Sequence, residues 1–214
     1  MCIIAVDYAG VSKGWFDRAS WTNPHGVGIA WWDGKTTNVS RSLKPKYRTY
    51  ARIRKVAKGP MLLHFRLATS GLTTLKQCHP FYTQPNVVFA HNGWFLALSN
   101  DPIRSDTQIF AEDYLKGADP MRPKTAKMLN SVCDDGNKIA FLRFGVPIIF
   151  GEQWGHWGTD GNWYSYASGW EPGWGSKFSR SVSWEPTGDE CWANDPDDYK
   201  RWGQISSLPM AYRD

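Results

Sequence analysis

Cysteine is the second residue of this chain, and the apolar run Ile3-Ile4-Ala5-Val6 follows it without a break. The run reads as a buried strand, so the fold has to start with a core strand whose first residue carries a thiol. Removal of Met1 would leave Cys2 with a thiol and a free α-amine on one residue. An α-amine titrates at roughly 8, far below a lysine, so part of it is unprotonated at neutral pH. It can take the proton from its own thiol, which makes a self-contained nucleophile. The plainer alternative is a small residue that merely starts a strand, and position alone does not choose between the two.

Hydrophobic patterning sets the fold class. Residues 27–32 read as a second strand that ends at Asp33-Gly34, a dipeptide associated with hairpin turns, and residues 36–42 return as its partner. Residues 9–25 are polar, with Gly and Pro, and read as loop. Apolar or aromatic residues at 47, 50, 53, 56 and 57 have helical spacing, and Gly59-Pro60 ends that helix. Strands are expected at 61–66 and 86–91, and helices at 106–115 and 123–132, the first capped by Ser105 or Asp106. A hairpin around Gly145 joins 138–144 to 146–150, and 162–167 reads as one more strand. Strands come first, helices fall in the middle and strands return, which predicts an α+β layered domain rather than a βαβ repeat. A length of 214 residues suits a single domain over 1–214. Within it, 168–214 is expected as an irregular Trp/Gly-rich extension packed on the rest.

Several classes of protein are disfavoured. The apolar runs, such as Val146-Pro147-Ile148-Ile149-Phe150, are too short to span a bilayer. No charged segment followed by an apolar one opens the chain as a signal peptide would. Cys2, Cys78, Cys133 and Cys191 are scattered, with no C-x-x-C pair and no metal spacing. They read as reduced thiols of a cytoplasmic protein, with neither metal nor cofactor expected. Net charge is +5, but nine Lys and Arg lie between Lys35 and Lys58 with no Asp or Glu among them. Such a stripe suits an anionic partner or nucleic acid; a solvated helix face explains it as well and is the reading carried forward. Eight of the thirteen tryptophans follow residue 150, interleaved with glycine. They could stack on bases or sugars, but plugging a region with little regular core is the simpler role.

Four further segments follow Cys2 in order. They are His64-Phe65-Arg66-Leu67-Ala68-Thr69-Ser70-Gly71, then His79-Pro80-Phe81, then His91-Asn92-Gly93, then Ser105-Asp106-Thr107. A thiol that attacks an amide needs donors for the oxyanion, and an Asn side chain beside a Gly backbone N–H at a strand end can supply two. A free amino acid needs its carboxylate gripped, which an Arg fork does, and its ammonium paired, which Asp106 would do. Together these residues make a kit for hydrolysing the side-chain amide of an amino acid.

The ordered set resembles the class II glutamine amidotransferases, the glutaminase domains of the N-terminal nucleophile hydrolases. Their pattern is Met-Cys, H-x-R-x-A-T-x-G, H-P-F, H-N-G and S-D-T-E. The segment Asn23-Pro24-His25-Gly26-Val27-Gly28-Ile29-Ala30 resembles the N-P-x-G-x-G-I-A stretch of small stand-alone members found in bacteria and phages. The resemblance covers residues 2–170. It implies a four-layer αββα sandwich, Cys2 as nucleophile with its own amine as base, and Asn92 and Gly93 as the oxyanion hole. It also implies glutamine as substrate, held by Arg66 at the carboxylate and Asp106 at the ammonium, with Thr69 and His79 beside them. Ile3 and Gln108 depart from the family's Gly and Glu. No synthase half follows in the sequence, so the ammonia is expected to pass to a separate acceptor subunit. Two alternatives stay open: a hydrolase of another amide, such as a γ-glutamyl compound, and a non-catalytic nucleic-acid-binding module.

Overall fold

The computed structural model describes residues 2–69, 71–98 and 101–166. In chain order the elements are β1 Ile3–Asp7, α1 Lys13–Thr22, β2 Val27–Trp32, β3 Thr37–Ser42, α2 Tyr47–Val56 and β4 Met61–Phe65. They continue with β5 Phe81–Gln84, β6 Val87–Asn92, α3 Asp106–Ile109, α4 Pro123–Cys133, β7 Lys138–Arg143, β8 Val146–Phe150, β9 His156–Trp157 and β10 Trp163–Tyr164. A π turn, Phe110–Tyr114, prolongs α3. The strands form two antiparallel sheets, one ordered β3-β2-β4-β1-β10-β9 and the other β5-β6-β7-β8.

Alternation along these strands builds the layers. Ile4 and Val6 of β1, Ala30 of β2, Leu62 of β4 and Trp163 of β10 meet Val88 and Ala90 of β6 and Ala140 and Leu142 of β7 in one buried cluster between the sheets. The residues between them face outward. Ile3, Ala5, Ile29, Leu63 and Phe65 pack under Trp15, Phe16 and Ala19 of α1 and Tyr50 of α2. Val87, Phe89, Ile139 and Phe141 pack under Phe110 and under Leu129 and Val132 of α4. The order of packing is therefore helices, sheet, sheet, helices, and the α+β class read from the sequence is the one observed. Each fully buried aliphatic side chain in these clusters contributes about 1.5–3 kcal/mol of transfer free energy.

One stretch read as loop is helical. Residues 13–22 of the expected 9–25 loop form α1, capped by the Ser12 hydroxyl, which accepts from Trp15 N at 3.1 Å. Only Trp15, Phe16 and Ala19 are buried there, so the apolar stripe is too narrow, and too diluted by Gly14 and polar residues, to announce itself. Strand β5 was also not foreseen. The strand expected at 162–167 is shorter, Trp163–Tyr164. Trp163 is fully buried between the sheets, as the plugging role requires, whereas Trp154 and Trp157 are half exposed. The remaining tryptophans and the expected 168–214 extension lie outside the described residues. Among the described residues no helix is long and apolar enough to cross a membrane.

The basic stripe divides. Arg41 donates to Cys78 O at 2.7 Å and Pro80 O at 2.6 Å and so ties β3 to the segment before β5. Arg54 donates to Tyr8 O and Gly59 O and lies 3.7 Å from the buried carboxylate of Asp7. These two are structural clamps rather than members of a solvated face.

Candidate active site

At one end of the layer between the sheets, the inward positions change from apolar to polar. On β4 the inward series runs Leu62, His64 and then Arg66. On β6 it runs Val88, Ala90, Asn92, and on β10 Trp163 leads to Ser165. Ile4 pairs with His64 in the register of β1 and β4, so Cys2 emerges at the same end.

A cleft opens there. Cys2, Arg66, Thr69, His79, Gly93 and Asp106 all line it, together with Leu67, Ala68, His91, Ser105 and Thr107. Of the expected site residues only Asn92 is not in the lining; it is wholly buried immediately behind Gly93.

Cys2 is partly exposed, and its Sγ lies 3.5 Å from Leu67 O. Burial pushes its thiol pKa up, against a smaller opposing pull from the Arg66 charge. The thiol is therefore protonated at neutral pH and needs a base at the moment of attack.

Arg66 is buried, and its Nη1 donates to Leu72 O and its Nη2 to Gln77 Oε1, each at 3.0 Å. Burial lowers its pKa, but an arginine stays charged. Gln77 is buried as well, and its amide also donates to Ile103 O. It thus ties the guanidinium to the segment that leads into α3. Asp106 opens α3 behind the Ser105 cap. Its Oδ2 accepts from Phe95 N at 2.8 Å and its Oδ1 from Thr107 N at 2.7 Å.

Gly93 stands where no other residue fits. Its φ is +150°, and a Cβ would lie 1.9 Å from Asn137 Oδ1 and 2.8 Å from His91 Nε2. Asn137 is the post behind this turn. Its Oδ1 receives Trp94 N and His91 Nε2, both at 2.9 Å, while its Nδ2 donates to Val132 O at 2.9 Å. Because that oxygen can only accept, His91 carries its proton on Nε2, and Nδ1 accepts from the Thr107 hydroxyl at 2.9 Å. The ring also stacks on Phe95 with centroids 4.0 Å apart.

Burial holds three histidines of this region, His64, His79 and His91, in the neutral form. Burial lowers His91 and takes His79 well below its usual value, and it takes His64 to about 3. His79 stacks on His64 at 4.0 Å, and its Nδ1 accepts from His91 N at 3.3 Å. His79 reaches the cleft across Gly28, where a Cβ would meet His79 O at 1.6 Å. His25 Nδ1 accepts from Ala68 N at 2.8 Å and holds the 66–69 segment. Those two contacts give the Asn-Pro-His-Gly-Val-Gly stretch its physical role.

Sequence reasoning missed Gln77, Asn137 and Ser165. None sits in a recognisable pattern, and each acts by filling one buried hydrogen-bonding position. The two departures from the family pattern lie off the cleft. Ile3 is buried on the outer face of β1 beneath α1, and the Gln108 amide donates to Glu112 Oε1 at 2.8 Å. Cys78 is buried. Among the described residues no group of three or more His, Cys, Asp or Glu could hold a metal ion.

Residues 3–108 match the family model described as "Glutamine amidotransferases class-II". No curated protein sequence matches the chain. Among solved structures it is similar to a glutamine aminotransferase class-II domain protein from Silicibacter pomeroyi, at 13% identity and a TM-score of 0.39, covering 77% of this chain and 87% of that one. It is also similar to glutamine phosphoribosylpyrophosphate amidotransferase from B. subtilis, complexed with ADP and GMP, at 15% identity and a TM-score of 0.48. A third is described as the allosteric regulatory enzyme of purine biosynthesis, at 13% identity and 0.48. The chain covers 41% of each of the last two, with 77% of its own length.

Proposed function

We propose that this chain, which carries a class II glutamine amidotransferase segment at residues 3–108, hydrolyses the side-chain amide of glutamine with Cys2 as nucleophile. The observation that carries the reading is the convergence of Cys2, Arg66, Thr69, His79, Gly93 and Asp106 on one cleft from five separate chain segments.

Once Met1 is removed, the Cys2 α-amine takes the thiol proton while Sγ attacks the amide carbon. A C–S bond forms, and the carbonyl oxygen becomes an oxyanion. Asn92 and Gly93 N–H groups receive that charge, which forms only on the way to the tetrahedral intermediate. The amine returns its proton to the leaving nitrogen, and ammonia departs. Water then attacks the thioester, releases glutamate and restores the thiol. A thiol that burial keeps protonated suits a mechanism in which the proton leaves in step with attack. Arg66 holds the substrate carboxylate and Asp106 its ammonium, with Thr69 and His79 closing the sides. The ammonia passes to a separate synthase subunit, in the cytoplasm, and the whole of 1–214 acts as one glutaminase domain.

The test is a glutaminase assay on protein whose intact mass shows loss of Met1. Cys2→Ala should abolish turnover while leaving the unfolding midpoint in place. Wild-type rates in Cys2→Ala, or in protein that retains Met1, would end this reading.

A further inference from the structure

Ser165 joins the two sheets at the catalytic end. Its backbone N–H donates to Ile4 O at 3.0 Å, continuing the β1–β10 ladder. In the other direction the hydroxyl replaces the backbone carbonyl, and Ile4 N donates to Ser165 Oγ at 2.8 Å. The same oxygen lies 2.8 Å from the Asn92 side-chain amide on β6. One buried hydroxyl thus connects the strand that carries Cys2, two residues from Ile4, to the strand that carries Asn92.

One of the two orientations of the Asn92 amide pairs its groups poorly. With Nδ2 facing Ser165, the hydroxyl receives two N–H donors, and the wholly buried Asn92 Oδ1 has no hydrogen-bond partner. The position away from Ser165 is unpartnered in either orientation, so the choice rests on the Ser165 O–H, which finds an acceptor only when Oδ1 faces it. Oxygen and nitrogen of a side-chain amide are nearly the same size, so exchanging them changes no packing. After the exchange the Ser165 hydroxyl accepts from Ile4 N and donates to Asn92 Oδ1. Nδ2 then takes the unpartnered position with both its N–H groups available.

We propose that Ser165 is a positioning residue that fixes the Asn92 amide with its oxygen toward β1 and its N–H groups toward the reacting oxygen. It touches no substrate and acts through Asn92. The catalytic half of this statement rests on the reading of Asn92 as an oxyanion donor; the orientation half does not.

Ser165→Ala removes the bonds to both Ile4 N and Asn92; through the one lost to Asn92 it should lower kcat for glutamine about three- to tenfold, with KM unchanged. Asn92→Ala should lower kcat about 10²–10³-fold. The double variant should lie much closer to Asn92→Ala alone than to the product of the two losses, because only the part of the Ser165 effect that passes through Ile4 then remains. Losses that multiply in the double variant, a change confined to KM, or an unaffected Ser165→Ala would overturn the proposal. Neutron diffraction on the exchanged wild-type protein decides the orientation without any assay. One deuterium on the Ser165–Asn92 line, bonded to Oγ, supports the proposal; two deuteriums on the amide atom facing Ser165 refute it. A protein that hydrolyses no glutamine would defeat the parent reading, and the neutron map would still decide this one.

Discussion

Asn137→Ala should be among the most damaging single substitutions outside the cleft lining. Asn137 is 1% exposed and satisfies three groups: Trp94 N–H, His91 Nε2–H and Val132 C=O. Truncation strands two buried groups, His91 Nε2–H and Val132 C=O, besides the part-buried Trp94 N–H. At about 1–3 kcal/mol for each buried unsatisfied group, the cost is about 2–6 kcal/mol, a large share of the roughly 5–15 kcal/mol that holds a domain together. With a urea slope near 2 kcal/mol/M, the unfolding midpoint should fall by about 1–3 M. The turn that carries Gly93 loses its post at the same time, so kcat should fall even where the protein stays folded. The control is Trp154→Phe, which removes one indole N–H bond to Cys133 O from a half-exposed ring and should cost about 1 kcal/mol or less. Urea titrations of both variants, with glutaminase rates under folding conditions, make the comparison. An Asn137→Ala midpoint equal to wild type would refute the claim that this side chain holds the turn.

Stability should fall on acidification below about 6.5. His64 is held neutral in the folded state down to about 3 and titrates near 6.5 when unfolded, so the unfolded state binds the extra proton in between. The loss approaches about 1.4 kcal/mol per pH unit from this residue alone, and His64→Phe should flatten the profile of urea midpoints between pH 7 and 4. Arg66→Ala and Asp106→Ala should raise KM for glutamine more than they lower kcat, since under the proposed mechanism both grip ground state and transition state alike. Steady-state kinetics showing a kcat loss at normal KM would reverse those roles.

What the sequence made legible follows from how strongly each element is determined by its own residues. Strands β1, β2, β4, β6 and β7 are buried on both faces and read as near-continuous apolar runs. The α2 stripe at 47, 50 and 53 and the Asp33-Gly34 turn are equally local signals. Helix α1 was not legible, because three buried residues and a serine cap carry it while its other positions are polar. Cys2, Arg66 and Asp106 were legible because they lie in short ordered motifs. Gln77, Asn137 and Ser165 were not, because each is defined by a partner distant in the chain: Arg66 and Ile103 for Gln77, His91 for Asn137, Ile4 and Asn92 for Ser165. A buried amide or hydroxyl leaves no periodic trace, and only the folded register brings its partners to it.

The electrostatics of the cleft bear on what it can select. Burial keeps the Cys2 thiol protonated and the imidazoles of His79 and His91 neutral at pH 7. The charge-bearing side chains left in the lining are one guanidinium, Arg66, and one carboxylate, Asp106. They come from opposite walls: Arg66 follows β4 of one sheet, and Asp106 opens α3, whose turn packs over the other. A cleft with one fixed charge of each sign suits a ligand that is itself a zwitterion. A peptide or protein amide would bring neither free charge and would forgo both charge pairings that a free amino acid makes. Specificity for a free α-amino acid would then follow from what the site refuses. Replacing either charge by a neutral residue should therefore narrow the gap in kcat/KM between glutamine and an N-acetylated, carboxyl-blocked glutamine, by loss of the former rather than gain of the latter. If Arg66→Ala or Asp106→Ala left that ratio unchanged, the two charges would have to be assigned to holding the fold alone.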